Sequence, residues 1–248
     1  MLFSKKLPDI MYTIFLTFLG FSFKKEVLGA FNFFGTMFGF TSQLLGAFYT
    51  IVERRIYIGK ERLKSNIDYL LNLAFGNSVT FGIIMISLII LILNLIPIYF
   101  TELTDYINLI PFILLIFTIR NSIMISEYYI NSYNLFFKRN IIAVILSSIY
   151  LLILNITNFK SIESFIITHV GVLIFYKIVI ILFLKEFFTN KISVVKILFG
   201  DLVMSIIVSI FAFVVIFLQL NIFESIFFAL LCFVILNIVH LSNPKKLF

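Results

Sequence analysis

Apolar runs of bilayer-spanning length recur along almost the whole chain, and they restrict the fold more than any single residue does. A helix crossing the bilayer core needs roughly 20 mainly apolar residues. Eight runs reach or approach that length: Met11–Phe23, Val27–Val52, Tyr69–Phe100, Tyr106–Phe137, Ile141–Thr157, Ser164–Leu184, Ile197–Leu220 and Ile222–His240. Apolar types fill 62% of the 248 residues, charged types only 12%, and the mean hydropathy is +1.14. Soluble domains average roughly 45–50% apolar and about 25% charged. The balance excludes a soluble globular domain, a disordered chain and a nucleic-acid-binding domain. Helices are the expected spanning form, because lipid satisfies no backbone polar group. Barrel strands would alternate polar and apolar residues, and these runs do not. The sequence therefore predicts an all-α, polytopic transmembrane helix bundle of about eight spans.

Charge sets the expected orientation. With the N-terminus in the cytoplasm, the inner segments carry fourteen of the nineteen Lys and Arg, and the outer loops carry only Lys24, Lys25 and Lys160. This asymmetry follows the positive-inside rule and accounts for the net charge of +7. It predicts a multi-pass protein of the cytoplasmic membrane with both termini cytoplasmic and with membrane lipid as its surroundings. Lys5 and Lys6 ahead of a short apolar run resemble the start of a signal peptide. Lys24, Lys25 and Glu26 follow in place of a small-residue cleavage site, so the first run is expected to stay as a span. Pro97 is expected to close the third span, and Pro111 to kink the first turns of the fourth. Cys232 is the single cysteine, so it forms no internal disulfide or zinc site and packs as a small hydrophobe. No metal or cofactor is expected.

Several runs carry polar or small residues at helical spacing: Asn32, Thr36, Gly39, Gln43 and Gly46; Asn72, Gly76, Thr80 and Ser87, with Asn77 at the edge; Arg120, Glu127, Asn131 and Asn134; and Asp201, Ser205 and Ser209. Each set falls on one helical face. Such faces are expected to line either a helix contact or a watery cavity. Gly35 and Gly39, spaced by three residues, suit close backbone approach.

Arg120 lies about 21 Å along its helix from Tyr106 and about 22 Å from Leu135, which is mid-membrane. A charge there costs roughly 2.5–3.5 kcal/mol even on lenient scales. It needs a partner or an anionic ligand. Glu127 is on the same face but about 10 Å away along the axis, too far for a direct pair. Lys177 sits about 10 Å from the inner end of its span, within reach of partial snorkelling. His169, two turns above it, reads as a hydrogen-bonded structural residue or a proton relay. No nucleophile elbow, zinc helix motif or glycine-rich phosphate loop occurs, so no enzyme activity is expected.

The order of features resembles a known family. The first span is followed by Glu26-Val27-Leu28-Gly29-Ala30-Phe31 and a glycine-spaced helix ending in Glu53-Arg54-Arg55. The basic stretch Gly59-Lys60-Glu61-Arg62-Leu63 then leads into a long helix. Phe100-Thr101-Glu102-Leu103-Thr104-Asp105-Tyr106 and a helix ending Tyr133-Asn134-Leu135-Phe136-Phe137-Lys138 come later. This pattern resembles the C-terminal half of the polysaccharide (O-antigen or capsule) flippases, in the superfamily of multidrug, oligosaccharidyl-lipid and polysaccharide exporters. The resemblance implies a six-span lobe over residues 1–190 and two additional spans over residues 191–248. It implies movement of undecaprenyl-diphosphate-linked oligosaccharide between leaflets, with Arg120 and Lys177 at the headgroup and Gln43, Asn77 and Asn131 at sugar hydroxyls. Glu127 completes the candidate set. It also implies a missing N-terminal lobe, or a second copy in its place. The chain lacks the proline that such flippases often carry near its Val52 position. The alternatives are an ABC-type exporter permease or a membrane enzyme of polysaccharide assembly.

Overall fold

The computed structural model describes residues 7–40, 84–132, 136–157, 159–185, 191–221, 223–228 and 230–231. All regular structure among them is helical. Helix α1 is Leu7–Ser22, α2 covers 25–40, α3 is Ile84–Tyr99, α4 is Ile110–Ser132, α5 is Phe136–Ile156, α6 is Ile162–Lys185, α7 is Lys191–Phe217 and α8 begins at 223. A 3₁₀ segment, Thr101–Leu109, leads into α4. Thr101–Ile123, Phe137–Ile156 and Ile162–Phe183 are long and apolar enough to cross a membrane; Ile10–Ser22, Ile84–Tyr99 and Ser205–Phe217 are shorter apolar helices.

Local chemistry explains the ends. Pro97 falls in the last turn of α3, as expected. Pro111 falls in the first turn of α4, where its missing N–H has no intrahelical acceptor to serve. The helix changes from 3₁₀ to α at Ile110, one residue before the proline. After α7, Gln219 takes a left-handed φ of 50° and the Leu220 amide donates back to the Val215 carbonyl. Asn221 then caps α8. Its Oδ1 accepts from the Glu224 amide at 3.0 Å while Glu224 Oε2 accepts from the Asn221 amide at 2.9 Å, a reciprocal capping box.

Helix α4 is the centre, packed chiefly against α7 and α6. Ile110, Ile113, Leu114, Ile116, Ile119 and Ile123 are all buried, on more than one side of the helix, as befits a helix at the centre of a bundle. Helix α1 buries one stripe, Met11, Phe15 and Leu19. The loops after α1, α3, α5 and α7 share one end of the bundle, the upper end. There Phe33 meets Phe100, and both Phe23 and Phe159 meet Phe165.

The outside of the bundle is apolar like its core, and a few polar side chains are enclosed within it. Thr118, Asn121, Ser122, His169, Lys177, Ser205 and Ser209 are buried. Ile141, Val144, Ile145, Ile149, Leu152 and Ile156 make an exposed apolar face along α5. Exposed polar side chains satisfy themselves on their own helix. Thr17 donates to the Thr13 carbonyl, Thr36 to Asn32 and Asn155 to Leu151, at 2.7–2.8 Å.

Of the two roles expected for the polar face of α2, a contact within the bundle is not seen at Asn32 and Thr36. Asn32 and Thr36 face outward, and the contact face of α2 is Phe31, Phe34, Gly35 and Phe38. A threonine that back-bonds to its own helix needs neither a partner helix nor water. The face containing Ser205 and Ser209, by contrast, is a helix contact: Thr118 Oγ1 reaches the Ser205 carbonyl at 3.4 Å. Close approach at Gly35 is also seen. A Cβ there would stand 2.9 Å from the Tyr12 hydroxyl and 3.5 Å from the Phe117 ring. The Tyr12 ring is held between Phe15 and Phe117, so it has little room to yield. Gly35→Ala is expected to lower stability by about 1–2 kcal/mol, an overpacking cost, read as an earlier unfolding midpoint in detergent. Gly29→Ala, with nothing within 4 Å, serves as the neutral control.

Candidate functional site

Two of the candidate residues, Arg120 and Lys177, are cations held inside the bundle. Arg120 and Tyr12 are each ten residues from the upper ends of α4 and α1, about 15 Å down at the helical rise. Equal depth brings them together: the Arg120 guanidinium carbon sits 4.3 Å from the Tyr12 ring centroid and 5.2 Å from that of Phe117. An aromatic face stabilises a partly buried guanidinium by about 1–2 kcal/mol. Arg120 is half-buried.

Lys177 reaches α4 from α6. Its ammonium donates to the Ser122 carbonyl, two residues beyond Arg120, and the side chain has no exposed surface. The expected snorkelling does not occur. A backbone carbonyl within reach satisfies the ammonium inside the bundle, so nothing draws the stem to the interface.

His169 and Tyr150 are also matched in depth, seven and six residues from the upper ends of α6 and α5. Both are fully buried, and a 2.9 Å hydrogen bond joins His169 Nδ1 to the Tyr150 hydroxyl. Phe15 stacks on the imidazole at 4.3 Å and on Phe165 at 5.0 Å. The same α1 face therefore holds Arg120 through Tyr12 and His169 through Phe15. His169 Nε2 and Asn121 Oδ1 are buried and have no hydrogen-bond partner among the described residues. Tyr150→Phe is expected to cost about 1–3 kcal/mol, the penalty for leaving a buried imidazole nitrogen unsatisfied. A thermal unfolding midpoint equal to that of the native chain would contradict this role for the hydroxyl.

The other candidates are not assembled here. Gln43 and Asn77 lie outside the described residues, and Glu127 and Asn131 fall on α4 with side chains outside them. Arg139, in the first turn of α5, is 1% exposed. Its Nη2 donates to Asn140 Oδ1 at 3.0 Å. Phe136 and Phe137 just before it were the available signal that the helix starts early. Among the described residues no group of three or more His, Cys, Asp or Glu could hold a metal ion.

The chain matches no protein-family model, no curated protein and no solved structure.

Proposed function

We propose that the chain is a membrane transporter bundle that moves lipid-linked oligosaccharide across the cytoplasmic membrane for polysaccharide synthesis. The carrying observation is a half-buried guanidinium at mid-bundle, cradled by Tyr12 and Phe117, inside a bundle whose outer faces are apolar. An exposed apolar face the length of α5 would associate in water but suits acyl chains. A planar guanidinium suits a diphosphate, which it binds by charge and fork geometry. Arg120 is the headgroup contact in this reading. Lys177, closed off against Ser122, supplies a second cation only when α4 and α6 part. Gln43, Asn77, Glu127 and Asn131 would serve the glycan.

The architecture under this reading is a six-span lobe with two further spans, and both termini are cytoplasmic. Alternating access needs two bundles rocking about one site. The working unit therefore pairs this chain with a second bundle, either another copy or a complementary lobe.

The test is transport of undecaprenyl-diphosphate-linked oligosaccharide in proteoliposomes holding the chain with its second bundle. Arg120→Ala should slow leaflet exchange by roughly 10–100-fold, the worth of a hydrogen bond to a charged group. An unchanged rate would refute the headgroup role.

A further inference from the structure

A cavity of about 440 Å³ opens at the upper end between α1 and α5, away from Arg120. Its walls are aromatic, from Phe18, Phe21 and Phe159, and its polar lining comes from Ser22, Asn155 and Thr157. Phe21, Ser22, Asn155 and Thr157 are exposed, so the space is reached from outside the bundle. Its size falls within the roughly 300–1,000 Å³ of small-ligand sites. An apolar wall under a polar rim fits an amphiphile at a membrane interface.

Charge selects among amphiphiles. Lys24 and Lys25 come one residue after the end of α1, at the start of α2, and Lys160 is the residue after Phe159; all three are exposed. They are the same three lysines that depart from the positive-inside pattern. Against them stand Glu26 and Glu163, also exposed, which leaves one net positive charge on the segments that continue from the lining residues. We propose that this cavity is a site for an anionic glycerophospholipid, with its phosphate at the lysines and the tops of its acyl chains against the phenylalanines. The proposal rests on the membrane reading but not on oligosaccharide transport.

The chain contains no tryptophan, so one introduced by Phe159→Trp reports on the cavity alone. The full chain in nanodiscs is titrated with phosphatidylglycerol or phosphatidylcholine, each brominated near the top of its acyl chains. Half-maximal quenching is expected at about fivefold lower phosphatidylglycerol fraction, the factor that one net basic charge provides at a lipid surface. Replacing Lys24, Lys25 and Lys160 together by Gln should remove the difference. Phe21→Trp, at a position 86% exposed, replaces the first reporter if Phe159→Trp folds poorly. Phe217→Trp at the upper end of α7 is the control. Equal quenching by both lipids, a preference that survives the lysine changes, or the same preference at Phe217 would each overturn the site. Quenching by neither lipid at either position would overturn the membrane reading beneath it.

Discussion

Phe15→Ala should loosen the bundle more than any other single truncation in α1, by about 2–3 kcal/mol. Phe15 is fully buried and its ring meets those of Tyr12, Phe31, Phe165 and His169. It therefore ties α1 to α2 and to α6. In soluble cores Phe→Ala costs roughly 3–5 kcal/mol, a sum of transfer and cavity terms. In lipid the transfer term falls away, because acyl chains are as apolar as the core. Lost dispersion contacts and aromatic pairing, about 0.5–1.5 kcal/mol per pair, remain. The estimate accordingly sits below the soluble range. Phe21→Ala, six residues along and 86% exposed, should change stability by less than about 0.5 kcal/mol. Unfolding in graded denaturing detergent separates the two. Equal midpoints would mean that Phe15 is not the tie between these helices.

The difference between these two phenylalanines also marks what the sequence could show. Apolar length reveals where helices form, so α1, α4, α6 and the break between Phe217 and Asn221 follow closely from hydropathy. It does not reveal which way a uniformly apolar helix turns. Phe15 and Phe21 look alike in sequence, and only the packing of α6 against α1 tells them apart. The same gap hides which way Asn32 and Thr36 turn: both are exposed, and the Thr36 hydroxyl bonds to its own helix. Pairings between helices were legible only as depths. Arg120 with Tyr12 and His169 with Tyr150 lie at matched distances from their helix ends, but matched depth does not say which helices are neighbours.

Arg120 variants should separate a structural guanidinium from one that works on a ligand. A structural role rests on the Tyr12 and Phe117 rings, and its loss costs stability of about 2 kcal/mol at most. A ligand role rests on the fork, which binds a diphosphate bidentately. Arg120→Lys keeps the charge and the ring contact but loses the fork. It is therefore expected to leave the unfolding midpoint nearly unchanged and to slow oligosaccharide exchange by about tenfold, one charge-assisted hydrogen bond's worth. Arg120→Ala should lower both, with exchange falling by up to about 100-fold. Tyr12→Phe preserves a ring beneath the guanidinium and should spare exchange. Native exchange in Arg120→Lys together with a lowered midpoint in Arg120→Ala would assign Arg120 to packing alone. The diphosphate would then need another anchor, and Lys177, behind the α4–α6 contact, would be the next cation to test.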